Sequence, residues 1–287
     1  MKKILILSVC LFVCWALPAQ QQRMKVACVG NSITYGTGLA DRATQSYPVQ
    51  LQKLLGEHYE VENFGKPGAT LLNQGHRPYT RQEEYRKALD FAGDIVVIHL
   101  GINDTDPRDW PNYRDSFVTD YLNLMDTFRK VNPDVRIIIA RMTPIADRHN
   151  RFLSGTRDWH GEIQTAIETV ARYAGVQLID FHEPLYPYPS LLPDAVHPTA
   201  EGAAIMAQTV YSAITGDYGG LQLSPLYTDN MVLQRDTPLL IHGTANVGEQ
   251  VTVRIDRQQW ITKAALDGKW SVKLSPMKAG GPYTLTI

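Results

Sequence analysis

DIVVIHLG, residues 94–101, decides the fold. Between Asp94 and Gly101 the run is apolar except for His99. A strand buried on both faces has this character, because neither face alternates toward water. VRIIIARMTP (135–144) reads the same way, and MKVACVG (24–30), YEVENFG (59–65) and VQLIDF (176–181) are shorter β-rich runs. Between them lie stretches with apolar residues at helical spacing: SYPVQLQKLLGEHY (46–59), TRQEEYRKALDFAG (80–93), SFVTDYLNLMDTFRKV (116–131) and WHGEIQTAIETVARYAG (159–175). TAEGAAIMAQTVYSAI (199–214) is a last helix. Strands alternating with helices predict βαβ crossovers. The expectation is an α/β fold with a five-stranded parallel sheet and helices on both faces, over residues 24–215.

After Thr215 the pattern changes. GDYGG reads as part of a linker, residues 216–222. MVLQ, PLLIHGTA, EQVTVRID, QQWITKAALD, KWSVKLS and PYTLTI then follow as short alternating runs separated by Gly, Asn, Asp and Pro. They predict a small all-β, sandwich-like module over 223–287, either minimal or cut short.

The chain has 287 residues, a formal net charge of −1 and 20% charged residues. Nothing here resembles the basic surface that nucleic acid requires. The clusters Arg77–Lys87 and Arg141–Arg157 mix both signs and read as solvated faces. MKK followed by ILILSVCLFVCWA and LPA reads as a secretory signal peptide, residues 1–19, cleaved after Ala19. Its apolar run is short for a membrane span, so a retained anchor is the lesser reading. The expected location is periplasmic or extracellular, with no stable membrane insertion once the leader is gone. Cys10 and Cys14 lie in the leader, which leaves Cys28 with no partner for an internal disulfide. In its apolar strand Cys28 reads as a buried small hydrophobe.

In open parallel sheets the functional groups gather beyond the carboxyl ends of the strands. That edge collects Asn31 and Ser32 after the first strand, and Asn63, Gly65 and Gly68 after the second. It also collects Asn103 and Asp104 after the third, and Asp194 and His197 after the fifth. A serine hydroxyl needs an adjacent base to be a nucleophile, and histidine titrates in the right range. A carboxylate three residues away can fix the imidazole's tautomer. Asn103 and the backbone N–H groups of Ser32 and Gly68 can serve an oxyanion. Each residue also has a plain reading. Ser32 can be a helix N-cap, Asn103 a strand-end cap, Gly68 a turn glycine after Pro67, and Asp194–Pro198 a loop before the last helix. Their convergence on one edge favours acyl transfer.

GNSIT, NFGKPGAT, GIND and DAVHP resemble, in order, the four sequence blocks of the SGNH (GDSL-type) hydrolases. The resemblance covers residues 24–215 and implies a flavodoxin-like sheet. It implies Ser32 as nucleophile, His197 as base and Asp194 as its partner. Ser32, Gly68 and Asn103 would form the oxyanion hole, with no cofactor and no metal. Many relatives carry Asp where Asn31 stands. The tail, from LYTDNMVLQ to PYTLTI, resembles the β module of bacterial sialate O-acetylesterases. The two resemblances together imply an esterase that removes acetyl groups from carbohydrate, with sialic acid preferred. A lysophospholipase or thioesterase is the alternative within hydrolases, and a non-catalytic glycan-binding protein the alternative outside them.

Other signals carry less. GTGLAD lacks the third glycine of a dinucleotide loop, and Gly-x-Ser-x-Gly does not occur. His99 reads as a satisfied core histidine. Asp180 and His182 form a rival acid–base pair, but match no family block. No His/Cys/Asp cluster has metal spacing, and His58, His76, His149, His160 and His242 are scattered. In the long loop after Asn103, Arg108, Trp110 and Tyr113 are candidate substrate contacts. Trp110 would stack on a sugar, and Arg108 or Arg77 would pair with a sugar carboxylate. The plain reading, which is preferred, is that Trp110 packs the loop onto the sheet and the arginines are solvated.

Overall fold

A computed structural model describes residues 23–150 and 157–287. The leader expected at residues 1–19 lies outside the described residues. Strands β1 (Met24–Gly30), β2 (Tyr59–Gly65), β3 (Ile95–His99), β4 (Arg136–Arg141) and β5 (Gln177–Asp180) form one sheet in the order β2-β1-β3-β4-β5. Every pairing in it is parallel. This is the flavodoxin-like order, whose direction reverses between β1 and β3. All five residues of β3 are buried, as its apolar run requires.

The helices are α1 (Ser32–Tyr35), α2 (Arg42–Gln45), α3 (Tyr47–Leu55), α4 (Glu83–Phe91), α5 (Trp110–Tyr113), α6 (Phe117–Val131), α7 (Arg157–Ala174) and α8 (Ala200–Thr215). α3 packs on α8, while α6 packs on both α4 and α7. The sheet is thus covered on both faces, which explains why β3 and β4 have no polar face. The long helices follow the apolar periodicity. The four-residue helices α1, α2 and α5 do not, because one turn carries no period.

Beyond α8 come β6 (Gln222–Leu223), β7 (Leu239–Thr244), β8 (Gln250–Ile255), β9 (Gln258–Lys263), β10 (Lys269–Leu274) and β11 (Leu285–Thr286). They form two three-stranded antiparallel sheets, β10-β7-β6 and β11-β8-β9. MVLQ (231–234), expected as a strand, joins no sheet among the described residues and leaves Val232 96% exposed. Gln222, expected in the linker, begins β6 instead. Ile241, Val251, Val253, Trp270 and Leu274 form a core separate from that of the parallel sheet. This module meets the amino-terminal edge of the sheet. Val247 N–H donates to Gly216 O at 3.0 Å, and Gln177 Nε2 donates to Leu266 O at 3.2 Å. A cleft of about 870 Å³ lies between them, lined by Arg136, Gly175, Gln177, Asn246, Val247 and Leu266. Among the described residues no helix is long and apolar enough to cross a membrane.

Candidate active site

At the end of β1 the chain turns at Asn31, whose backbone is extended at φ −102° and ψ −152°. Asn31 Oδ1 accepts from the Ile33 N–H at 2.9 Å, and Asn31 Nδ2 donates to His99 O at 3.3 Å. The N-cap of α1 is therefore Asn31 and not Ser32. Ser32 occupies the first helical position, where its N–H has no intrahelical acceptor and its hydroxyl has no capping duty. The hydroxyl instead meets His197, with Ser32 Oγ 2.8 Å from Nε2. Ser32 is only 8% exposed.

His197 and Asp194 share one tight turn between β5 and α8. Asp194 Oδ1 accepts from the backbone N–H groups of Val196 and His197 at 3.0 and 2.7 Å. Asp194 Oδ2 lies 2.6 Å from His197 Nδ1. With Asp194 ionised, Nδ1 carries the proton and Nε2 faces Ser32 as an acceptor. Burial pushes the Asp194 carboxyl up, but these hydrogen bonds and the imidazole outweigh it and hold the group below the usual carboxylate range. The turn passes through Ala195 at φ 74°, and Ala195 O accepts from Ala146 N–H at 2.8 Å. That bond ties the turn to the loop after β4.

The loop after β2 crosses the same edge. Lys66 N–H donates to Gly30 O at 2.9 Å, which sets the loop beside Ser32. Gly68 adopts φ +77°, a conformation that penalises any side chain. Asn103 stands in a 3-10 turn, Ile102–Thr105, directly after β3. Its Nδ2 donates to Ala69 O at 2.9 Å, so one amide hydrogen fixes the side chain and the second stays available. Arg77 Nη1 donates to Pro67 O at 3.0 Å and lies against Gly68. A hydroxyl, an oriented imidazole, a carboxylate and amide donors are thus arranged at the crevice where the strand order reverses.

Residues 28–205 match the profile of the GDSL-like lipase/acylhydrolase family. The chain belongs to that family. An acetylxylan esterase of Xylanibacter ruminicola is 34% identical over 221 residues, covering 69% of this chain and 45% of that protein. The chain thus spans about half the length of this curated relative. Among solved structures, an acetyl xylan esterase superposes with a TM-score of 0.52 at 21% identity, covering 67% of this chain and 100% of that one. A GDSL-like lipase of Bacteroides thetaiotaomicron superposes with a TM-score of 0.51 at 21% identity, covering 66% and 87%. These likenesses establish the fold.

Among the other candidates on this GDSL fold, Trp110 takes the packed place expected of it. Trp110 is not offered to a sugar. It is 3% exposed, packs edge-on against Phe117 and donates from Nε1 to Glu162 at 2.6 Å. Arg108 holds Asp106 through Nε and Nη2, each at 2.9 Å. Tyr113 is 37% exposed on α5. Asp180 does not pair with the His182 ring. It takes the His182 and Glu183 amides at 2.7 and 3.1 Å and binds Arg141 at 2.7 Å. His99 is buried in the core but is not satisfied. Neither ring nitrogen has a partner among the described residues, and burial lowers its pKa to about 3. Burial pushes the Cys28 thiol up to about 12, the mark of an inert core thiol.

His76 was one of the scattered histidines, yet it meets Asp106 and Asp109 with one ligand atom of each within 4.8 Å of the others. Its sequence spacing hides this, because the loops after β2 and β3 bring the three together. They are committed to protein partners: His76 Nδ1 lies 2.6 Å from Asp109, and Asp106 holds Arg108. Two further carboxylates escaped a role. Asp104 stands in GIND beside Asn103 with no sequence signal of its own, and Asp120 is hidden in the amphipathic pattern of α6. Both accept bonds from the loop that follows Gly68.

Proposed function

We propose that this chain is a serine esterase that removes O-acetyl groups from carbohydrate. The observation that carries the reading is the unbroken hydrogen-bonded line Ser32–His197–Asp194. His197 Nε2 takes the hydroxyl proton as Ser32 Oγ attacks the acetyl carbonyl. The tetrahedral oxyanion is held by the N–H groups of Ser32 and Gly68 and by Asn103 Nδ2. The His197 imidazolium returns its proton to the leaving sugar oxygen, and an acetyl-Ser32 intermediate remains. Water, deprotonated by His197, then releases acetate and restores Ser32. Asp194, held below the usual carboxylate range, keeps the imidazole in the working tautomer. A glycan-binding protein has no need of this line.

The acetylated-carbohydrate class is supported by the acetylxylan esterase at 34% identity. The sialic acid preference rests on the likeness of the β module, with Arg77 beside Gly68 as the partner for a sugar carboxylate. The leader read at residues 1–19 would place the reaction outside the cytoplasm. Two measurements test the proposal. Ser32→Ala is expected to lose at least about 10,000-fold in kcat on a chromogenic acetate ester. A wild-type rate would remove Ser32 from the mechanism. Acetate release from acetylated xylan, O-acetylated sialic acid and a lysophospholipid separates the substrates. Preference for the lipid overturns the carbohydrate reading. Discrimination between the two sugars that survives Arg77→Ala removes Arg77 from recognition.

A further inference from the structure

Three buried carboxylates sew down the loop that follows Gly68. Asp104 accepts from the Leu71 and Leu72 amides at 2.9 and 2.8 Å. Asp120 accepts from the Asn73 backbone and side-chain amides, both at 2.9 Å. Asp109 accepts from the His76 N–H at 2.8 Å and faces its ring at 2.6 Å. Asp104 differs from the other two in its place in the chain. It directly follows Asn103, whose side chain grips Ala69 O at 2.9 Å. Asn103 and Asp104 therefore hold Ala69, Leu71 and Leu72 as one unit, immediately after Gly68.

Asp104 is fully buried, and no cation pairs with it among the described residues. Burying a carboxylate this way costs stability unless hydrogen bonds offset it. Burial pushes its carboxyl up to about 7 even though it accepts two amides, with Asp109 adding to the rise. An apolar side chain there would leave the Leu71 and Leu72 amides buried without an acceptor. We propose that Asp104 is a positioning residue of the oxyanion hole. It fixes the separation between the Gly68 N–H and the Asn103 side-chain amide. This rests on the reading above, in which those two donors receive the oxyanion. Donors must lie about 2.7–3.1 Å from the developing charge, and small misplacements are costly. An asparagine at 104 would accept from one of the two amides and point its own NH2 at the other. That donor–donor contact displaces the Leu71–Leu72 segment and the glycine before it.

A double-mutant cycle on a chromogenic acetate ester tests this, with kcat and KM measured separately. Asp104→Asn is expected to lower kcat about 10- to 100-fold with KM little changed. In the Asn103→Ala background the same substitution is expected to lose most of its effect, because the geometry it protects is gone. Asp120→Asn, which holds a more distant part of the loop, is expected to combine multiplicatively with Asn103→Ala. If Asp104→Asn costs the same factor in both backgrounds, or acts on KM alone, the positioning role is overturned. If Asn103→Ala leaves kcat intact, the oxyanion reading itself fails and takes this one with it. Asp104→Glu keeps the charge and shifts both oxygens by a methylene. It decides the same cycle should Asp104→Asn fail to fold.

Discussion

Asn31 and His99 are joined by a bond that lies beneath the reacting groups. Asn31 Nδ2 donates to His99 O at 3.3 Å while Asn31 Oδ1 caps α1. An aspartate can still cap, but it would face the His99 carbonyl with an oxygen. Asn31→Asp is therefore expected to cost about 1–3 kcal/mol, visible as a lower midpoint in urea unfolding. An unchanged midpoint would mean that the contact contributes nothing. His99 raises a different issue, because its ring nitrogens are buried without hydrogen-bond partners among the described residues. Its folded pKa of about 3 lies below the ordinary 6.5, so the unfolded chain takes up the proton first. The resulting stability is present above about pH 6.5 and is lost as pH falls toward 3. His160, lowered by burial to about 4, acts with the same sign, while Asp104, raised to about 7, acts with the opposite one. His99→Leu is expected to raise neutral-pH stability by about 1 kcal/mol or more and to flatten the acid loss. Thermal melts from pH 7 to 4 decide it, and an unchanged slope would remove His99 as a source. At this scale Ser32, Asn103, Asp194 and His197 are legible in the sequence because motif and edge agree. Trp110 is legible only as a preference for packing, since an exposed and a buried tryptophan have the same letter. Only the packing on Phe117 and Glu162 distinguishes them.

Helix α1 sits on the strand ends only because the backbone beneath it is bare. A Cβ on Gly65 would stand 2.2 Å from Tyr35 N, a clash with main chain that no rotamer relieves. Gly65→Ala must lift α1, and Ser32 rides on α1. It is expected to lower kcat about 100-fold through loss of the Ser32–His197 contact. Steady-state kinetics check it, and a normal kcat in a folded variant would show that α1 tolerates displacement. The longer elements were legible for a reason of scale. Buried strands such as β3 and amphipathic helices such as α6 repeat their pattern several times. MVLQ alternates in letters without a strand to pair with, because pairing is decided by residues far along the chain. The clamp of Asp104, Asp109 and Asp120 was hidden likewise. Most of its partners are backbone amides, which have no sequence signature.

The molecule keeps its two cores apart. The β module touches the amino-terminal edge of the parallel sheet, at Gln177 and Gly216, while Ser32, Asn103 and His197 stand at the carboxyl edge. A chain ending at Gly216 is therefore expected to hydrolyse a small acetate ester with kcat/KM within a few-fold of the full chain. A collapse in rate with the fold intact would mean that the module shapes the crevice from a distance. One contact, finally, spans the whole hydrolase unit. Ser32 and His197 lie 165 positions apart, at the first loop and the last. During synthesis the ribosome completes every strand of the sheet before the imidazole emerges. No shorter nascent chain can assemble the pair, so the proposed ester cleavage cannot begin before the chain has been made through His197. Under the proposed function, hydrolysis of a chromogenic ester would thus double as a report on folding of the hydrolase unit, independent of the β module.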